Sequence, residues 1–353
     1  YKPNPGEFSV TDQVTATKFL TGRDLKDGEF SFELVEGEGK DAKVVAKGTN
    51  TADGKIAMDK ITYDKPGTHT YTLREVKGNV GGITYSTAEY TIVTTITDKG
   101  DGTLEAKHEL KGADEAKFTN SYKPGSKDSS VTDKITATKV LTGRESGLAA
   151  GEFRFELVEG NVVVATGTNN ADGKIVMDSV TYTAAGEHTY MLRETKAGAT
   201  ENGITYSTSE YTIVTIVKDN GDGALSVEHK LQNADEAIFE NTYTVAPKSS
   251  SVTDQITATK FLTGRDLKEG EFSFELVEGN DVVATGKNDA RGKITMSPIE
   301  YTAAGKHTYT LREVPGDAGN GITYDGKTYT IETTVTDNGK GELVVKHELN
   351  GAD

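Results

Sequence analysis

Hydrophobic and polar residues alternate along much of this chain. Phe30, Phe32 and Leu34 are separated by single polar residues, and a similar period of two runs through 90–95. Because successive side chains of a β-strand point to opposite faces, this alternation predicts half-buried strands, and it does not favour helices.

Turn-forming dipeptides fall between the alternating segments and divide them into short strands. Many short strands with regularly placed turns are typical of a β-sandwich. We therefore predict an all-β fold of the immunoglobulin-like antiparallel β-sandwich type. The dipeptides in the first third of the chain are Asp53-Gly54, Pro66-Gly67, Gly81-Gly82 and Asp101-Gly102.

The whole pattern occurs three times. The segment 14–23 recurs at 135–144 and 256–265, a constant offset of 121 residues. Since this period is far longer than the roughly 20 to 50 residues of solenoid units, each copy is expected to hold a core of its own. We predict three tandem domains, joined by short polar linkers at 123–130 and 246–251. Their predicted bounds are 1–123, 124–246 and 247–353.

Composition and charge narrow the classes of function. The 353 residues include no cysteine and carry a formal net charge of -16. An acidic chain repels phosphate, so nucleic acid is not an expected partner. No apolar run approaches the roughly 20 residues of a membrane span. The cysteine count alone does not assign a compartment, and another kind of crosslink could replace disulfides.

Three residue types stand where a β-sandwich has no structural need for them. Lys18 lies in a strand whose neighbours, Ala16, Phe19 and Leu20 among them, are expected to face the core or nearly so. Taken singly, the candidates are explained as an exposed lysine, a glutamate paired with Arg74 and a turn asparagine. Their recurrence at matching spacing favours shared chemistry. The candidates are Lys18, Lys139 and Lys260, then Glu75, Glu194 and Glu313, then Asn120 and Asn241.

If the three side chains meet in an apolar core, burial lowers the pKa of the amine and raises that of the carboxyl, so each tends to its neutral form. A neutral lysine can attack the side-chain carbonyl of asparagine. A protonated glutamate can polarise that carbonyl and carry protons to the departing ammonia. The expected product is one Lys–Asn isopeptide bond per complete domain, made without an external enzyme.

The residues resemble a known family, the isopeptide-linkage repeats of Gram-positive pilins and adhesins, which includes the collagen-adhesin B-type domains. The resemblance rests on Thr-Ala-Thr-Lys at 15–18, Tyr-x-Leu-x-Glu at 71–75 and Phe-x-Asn-x-Tyr at 118–122. It implies that lysine is the nucleophile, glutamate the catalytic acid and asparagine the acceptor. The first repeat then uses Lys18, Glu75 and Asn120; the second uses Lys139, Glu194 and Asn241.

The third repeat departs from this pattern. It has Lys260 and Glu313, but its last residues, 351–353, align with 112–114, six residues before an acceptor. We expect it to be truncated before its last strand, with Lys260 unpaired. The first residues, 1–3, align with 122–124, so further repeats of the same parent chain are expected partners.

The resemblance implies a structural stalk or shaft segment of an extracellular, cell-wall-anchored surface protein, attached to the wall through its parent. The main alternative is an adhesin whose repeats bind a host protein or glycan. A third is the polymerising subunit of a pilus, although no clear sorting motif or sortase-accepting lysine motif is present.

Other chemistry has weaker support in the sequence. Six histidines form two repeat-equivalent sets, but their spacing does not favour a metal site. The acidic loops at 97–102 and 218–223 lack the twelve-residue calcium loop and its terminal glutamate, so hairpin turns explain them. No phosphate loop, nucleophile elbow or dinucleotide motif occurs. We expect no cofactor, no metal and no conventional turnover.

Overall fold

The computed structural model describes residues 2–317 and 321–351. These residues form two compact units. One takes in the chain up to Lys134 with Ser179–Thr189 and Val214–Lys230; the other takes in Ile135–Asp178, Tyr190–Ile213 and the chain from Leu231 onward. In the part of the chain that the structure describes, no helix is long and apolar enough to cross a membrane.

The described residues of the first repeat contain eleven strands in three sheets. The strands are β1 (Gly6–Phe8), β2 (Ala16–Thr21), β3 (Ser31–Glu36), β4 (Lys43–Asn50), β5 (Ile56–Met58), β6 (Ile61–Tyr63), β7 (Gly67–Glu75), β8 (Ile83–Thr84), β9 (Glu89–Asp98), β10 (Leu104–Leu110) and β11 (Ala116–Tyr122). The six-stranded sheet has the order β10-β9-β7-β3-β4-β5, the three-stranded sheet has the order β2-β11-β8, and β1 pairs with β6.

The core of this repeat follows the alternation of the sequence. Phe30, Phe32 and Leu34 are buried, and Ile92, Thr94 and Ile96 are the buried residues of β9. The rings of Phe32 in β3 and Phe118 in β11 lie 5.1 Å apart, so the two larger sheets pack face to face. This is the two-layer packing of a sandwich.

The first and last main strands of the repeat run parallel. β2 pairs with β11, and the register places Lys18 opposite Phe118 and Leu20 opposite Asn120. Sequence positions about 100 residues apart thereby become neighbours on one sheet. Phe19, expected near the core, instead points outward with 44% of its surface exposed, because Ala16 and Lys18 take the inward positions.

The second repeat has corresponding strands. β13 pairs with β23 in parallel, and Asn241 again lies two positions beyond the residue opposite the lysine. β14 pairs with β15 and with β18. The strands are β12 (Lys127–Ser129), β13 (Thr136–Thr142), β14 (Arg154–Glu159), β15 (Val162–Asn169), β16 (Ile175–Met177), β17 (Val180–Tyr182), β18 (Gly186–Glu194), β19 (Thr200–Glu201), β20 (Ile204–Thr205), β21 (Glu210–Asp219), β22 (Leu225–Leu231) and β23 (Glu236–Tyr243).

The third repeat keeps the six-stranded sheet, in the order β27-β26-β25-β29-β30-β31. Its described residues contain no counterpart of β2 or β11. The strands are β24 (Lys248–Ser250), β25 (Ser273–Glu278), β26 (Asp281–Asn288), β27 (Ile294–Met296), β28 (Ile299–Tyr301), β29 (Gly305–Val314), β30 (Thr328–Asp337) and β31 (Leu343–Asn350).

Short 3-10 helices lead into the repeats. Three of them follow the same serine, which caps the helix while an aspartate three residues later binds back to the serine backbone. This reciprocal capping satisfies amide groups that the helix start would leave unpaired. The four described 3-10 helices are Val10–Asp12, Gly39–Asp41, Val131–Asp133 and Val252–Asp254.

The predicted fold class is confirmed: the chain consists of three tandem β-sandwich repeats. The parallel pair in each complete repeat is the exception to antiparallel pairing. Part of each linker region is ordered: Lys127–Ser129 pairs with β17 of the second repeat, and Lys248–Ser250 pairs with β28 of the third. The exact domain bounds remain predictions.

Candidate crosslinking site

The lysine is placed by a turn that is specific to glycine. The backbone amide of Lys18 donates to the carbonyl of Gly54 at 2.7 Å. Gly54 has φ of +90°, and a Cβ there would lie 2.5 Å from the Lys18 carbonyl oxygen. Glycine tolerates both conditions. The turn therefore fixes β2 with the Lys18 side chain inward, where none of it is exposed.

The glutamate ends the strand β7 beside the lysine. Glu75 pairs in register with Phe32, and its Oε2 lies 3.0 Å from Nζ of Lys18. Both side chains are fully buried. The neighbouring Arg74 binds Glu33 instead, so the surface pairing of Glu75 with Arg74 that a single-residue view suggests does not occur.

The asparagine completes the group from β11. Nδ2 of Asn120 donates to Oε1 of Glu75 at 2.7 Å, and the backbone amide of Ser86 donates to Oδ1 of Asn120 at 2.7 Å. Glu75 thus bridges the lysine amine and the asparagine amide. The three predicted residues of the first repeat come together in one buried cluster.

Apolar surroundings shift the lysine toward its neutral form. The ring of Phe30 covers Nζ of Lys18 at 4.5 Å from the ring centre. Burial lowers the pKa of Lys18, although Glu75 acts in the opposite direction. A depressed amine pKa is what a nucleophilic lysine requires.

The second repeat also brings its three candidates together, but Nζ of Lys139 donates to the carbonyl of Phe239 at 3.1 Å and not to the glutamate. Oε2 of Glu194 lies 3.6 Å from Nζ of Lys139, and Nδ2 of Asn241 donates to Oε1 of Glu194 at 3.0 Å. The backbone amide of Ser207 donates to Oδ1 of Asn241 at 2.7 Å. Burial lowers the pKa of Lys139 to about 8 and raises the pKa of Glu194.

The third repeat brings together only two candidates. Nζ of Lys260 lies 2.6 Å from Oε1 of Glu313, and the lysine side chain is 10% exposed. The backbone amide of Asp325, at the position of Ser86, donates to Oε2 of Glu313 at 2.9 Å. The Glu313 carboxylate thus accepts from the backbone amide whose equivalents in the first two repeats donate to an asparagine oxygen. The predicted end of this repeat at Ala352 and Asp353 lies outside the described residues.

One contributor was absent from the sequence prediction. The carbonyl oxygen of Asn120 faces the backbone amide of Ser86, whereas Glu75 contacts the nitrogen. The donor to this carbonyl oxygen is therefore a backbone group, which has no side-chain signature. The available signal was Ile-Thr-Tyr-Ser-Thr, identical at 83–87 and 204–208 but changed at 325–326 in the third repeat.

The other candidates form structural contacts. His108 lies buried with Nδ1 against Thr94, and His69 pairs with Glu36. The acidic loop after Asp98 is a hairpin between β9 and β10 whose aspartates accept backbone amides. Among residues 2–317 and 321–351, no three histidine, aspartate or glutamate side chains form a group that could hold a metal ion.

Comparison with family models identifies the repeats. The model described as "Spy0128-like isopeptide containing domain" matches 14–123, 135–244 and 256–353. The chain belongs to this family. The Spy0128-like domains are structural, pilin-type domains, and each match includes one lysine and one glutamate of the cluster. A comparison with curated proteins found no match.

Several solved structures are similar to the chain at low identity. A major pilin (T3.2) of Streptococcus pyogenes is 18% identical, covers 65% of this chain and 95% of its own, and has a TM-score of 0.24. Two B repeat units of the collagen-binding protein of Staphylococcus aureus are 17% identical, with coverages of 97% and 75% and a TM-score of 0.24. The major pilin subunit BcpA of Bacillus cereus is 13% identical, with coverages of 96% and 97% and a TM-score of 0.22. The family assignment rests on the repeat match.

Proposed function

We propose that the chain is a structural stalk segment of a Gram-positive cell-surface pilin or adhesin, and that its first two repeats crosslink themselves by Lys–Asn isopeptide bonds. The observation that carries the proposal is the buried contact of Lys18, Glu75 and Asn120, repeated by Lys139, Glu194 and Asn241. Glu75 and Glu194 act as catalytic acids. Glu313 is the equivalent group beside Lys260, which contacts no asparagine of this repeat's described residues.

The reaction begins with a proton transfer within the buried pair. An ammonium and a carboxylate in an apolar core are costly to desolvate, and moving one proton from lysine to glutamate leaves two neutral groups. The lowered pKa of Lys139 and the raised pKa of Glu194, both caused mainly by burial, favour this transfer. The neutral amine is then the nucleophile.

Bond formation exchanges one amide for another. Nζ of the lysine bonds to Cγ of the asparagine, while the Ser86 or Ser207 backbone amide stabilises the developing charge on Oδ1. The protonated glutamate gives its proton to Nδ2, and its carboxylate then takes a proton from the lysine nitrogen. The Cγ–Nδ2 bond breaks and ammonia leaves. Because the glutamate ends as it began, the step needs no cofactor.

The crosslink would carry mechanical load past most of the sandwich. It joins Lys18 in β2 to Asn120 in β11, the strands through which the chain enters and leaves the first repeat's core. A pull on the two ends passes through the bond, and the strands between them remain unloaded. Closing a loop of about 100 residues also removes unfolded-state entropy, on the order of 4–5 kcal/mol by analogy with a disulfide.

The proposed location is the outer surface of a Gram-positive cell. The supporting observations are the pilin-type family and a charge of -16, which keeps a crowded surface protein soluble. Attachment to the cell wall through a parent chain, and linkage to further repeats or pilin subunits, belong to the same proposal.

The test is the intact mass of the purified chain. We expect a deficit of two ammonia molecules relative to the printed sequence, one of which is lost in Glu75→Gln and the other in Glu194→Gln. The matched control is Glu33→Gln, because Glu33 binds Arg74 on the same sheet and not the lysine. A mass equal to the plain sequence would remove the crosslinking mechanism and leave a repeat-built β-sandwich spacer.

A further inference from the structure

A tyrosine at the end of β11 reaches into the second repeat. The phenol of Tyr122 donates to Oδ1 of Asp219 at 2.5 Å and accepts the backbone amide of Gly223 at 3.1 Å. Only 5% of Tyr122 is exposed. The Tyr122 hydroxyl therefore both donates and accepts a hydrogen bond at the hairpin between β21 and β22.

The same contact recurs after the second repeat. The phenol of Tyr243 donates to Oδ1 of Asp337 at 2.7 Å and accepts the amide of Gly341 at 2.9 Å. Two joints with different linkers, Lys123-Pro124-Gly125 and Thr244-Val245-Ala246, thus use one arrangement. An accidental surface contact would not be expected to recur with the same atoms.

Backbone atoms meet closely at each joint. A Cβ on Gly223 would lie 2.4 Å from the carbonyl carbon of Gly81, and a Cβ on Gly341 would lie 2.5 Å from Cα of Gly203. Any larger residue at the hairpin glycine would push the two loops apart. The joints therefore depend on glycine for close approach as well as for the hairpin's positive φ.

Backbone hydrogen bonds fix the linkers against the same hairpins. The amide of Gly125 donates to Gly223 at 2.9 Å, and the amide of Ala246 donates to Gly341 at 2.8 Å. In the first repeat, the amide of Asn4 donates to Gly102 at 2.9 Å in the corresponding hairpin. Tyr1 precedes Asn4 by three residues, just as Tyr122 precedes Gly125. Tyr1 lies outside the described residues.

We propose that the Asp–Gly hairpin of each repeat is a docking site for the last-strand tyrosine of the repeat before it, so that consecutive repeats are held by a specific joint. Its partner is another copy of the same repeat end. The hairpins are Asp98–Gly102, Asp219–Gly223 and Asp337–Gly341. Tyr122 and Tyr243 determine the specificity of the two joints that the structure describes.

The electrostatics of the joint agree with a phenol that donates to a carboxylate. The hydrogen bond from Tyr122 lowers the pKa of Asp219. Burial raises the pKa of Tyr122 and also that of Tyr243. The guanidinium of Arg23 lies 4.8 Å from the centre of the Tyr122 ring. The phenol of Tyr122 therefore stays protonated at neutral pH. Asp219 accepts from its hydroxyl, and Arg23 lies over its ring.

This inference goes beyond the stalk proposal, because its contacts do not use the lysine, glutamate or asparagine of the crosslinks. Loss of the joint would leave the two-ammonia mass deficit unchanged. Loss of the crosslinks would leave the tyrosine contacts in place. The two proposals can therefore fail separately.

The test measures distances across each joint in the full chain by double electron–electron resonance. Because the sequence has no cysteine, two introduced cysteines are the sole labelling sites. Lys43→Cys with Glu187→Cys spans the first joint, and Val162→Cys with Asp281→Cys spans the second; all four positions are exposed. We expect one narrow distance distribution for each pair.

Removal of one phenol hydroxyl should loosen one joint. Tyr122→Phe should broaden the distribution across the first joint and leave the second narrow, and Tyr243→Phe should do the reverse. A free four-residue linker would spread its ends over roughly 11 Å, which sets the scale of the broadening. Tyr90→Phe is the matched control, since that hydroxyl binds Lys117 within the first repeat.

Gly223→Ala provides a second variant should the phenylalanine change prove too mild, and it should broaden the first joint by steric separation. Broad distributions in the unaltered chain would overturn the proposal. Distributions that stay equally narrow in Tyr122→Phe and Gly223→Ala, with the labels and fold intact, would also overturn it.

Discussion

The first and third repeats carry the same lysine and glutamate but hold them differently. In the first repeat, β2 pairs with β11 and Lys18 is fully buried. In the third, the residues around Lys260 form no strand, and they make a single bridge between Thr259 and Lys293. Phe261 is 82% exposed, whereas its counterpart Phe19 is 44% exposed.

The difference shows what the last strand contributes. β11 supplies the asparagine, and it also supplies the hydrogen-bond partner that makes the lysine segment a strand. The described residues of the third repeat include no such strand, and there Glu313 accepts the loop amide of Asp325 instead of contacting an asparagine. In the first repeat, the last strand thus assembles the three-residue cluster as well as supplying its asparagine.

The largest expected effect comes from adding a last strand to the third repeat. A copy of residues 115–123 appended after Asp353 should supply a strand equivalent to β11 and an asparagine equivalent to Asn120. We expect a third lost ammonia by intact mass, and stabilisation of this repeat on the order of 4–5 kcal/mol by loop closure. A copy with alanine in place of its asparagine is the control. If both appended chains keep the deficit of two, the strand is not what the third repeat lacks.

The converse change opens the first repeat. Asn120→Ala removes the acceptor, so the chain should lose one of its two ammonia deficits. The first repeat should unfold with a free energy lower by about 4–5 kcal/mol, as measured by calorimetry, while the second repeat's transition serves as an internal control. Equal stability with and without Asn120 would contradict a crosslink in this repeat.

A smaller effect is expected at the turn that places the lysine. Gly54→Ala adds a Cβ 2.5 Å from the Lys18 carbonyl at a positive φ. Gly28→Ala has the strained φ but no atom within 4 Å, so it reports the backbone cost alone, about 1–2 kcal/mol. Gly54→Ala should therefore lower the denaturation midpoint further and leave more chains uncrosslinked by mass. Equal behaviour of the two variants would show that the turn does not position Lys18.

The smallest effect is a pH dependence in a second repeat that cannot close its bond. In Asn241→Ala, the folded pKa of Lys139 stays lowered, near the value of about 8 in the unaltered repeat, against an ordinary value of 10.5. Between these values the unfolded chain binds more protons than the folded one, so stability rises as pH increases through this window. Denaturant unfolding from pH 7 to 10 measures it.

The control for this pH dependence is the double variant Lys139→Met with Asn241→Ala, which should lose the rise because it has no amine to titrate. A rise of equal size in both variants would assign it to other groups. A flat profile in Asn241→Ala alone would mean that Lys139 is not desolvated.

Much of the fold could be predicted because its signals are local and repeated. The alternation through Phe30, Phe32 and Leu34 reflects which side of a strand each residue occupies, and the structure buries all three. The prediction that Phe19 faces the core was wrong. Alternation shows that neighbouring residues of a strand face opposite sides, but it does not show which set faces inward. Because Lys18 faces inward, Phe19 faces outward. The linkers were predicted from their polar composition alone, which does not reveal that Lys127–Ser129 pairs as a strand.

The three copies, the strand character and the residue types of the proposed crosslinking site could be read from the sequence alone, because local patterns and repetition carry that information. Three contacts could be seen only in the folded chain: Leu20 pairs with Asn120, the Ser86 amide donates to the Asn120 oxygen, and Tyr122 donates to Asp219. These contacts join residues from 34 to 100 positions apart. They depend on parallel register and backbone atoms, which residue identities do not encode locally.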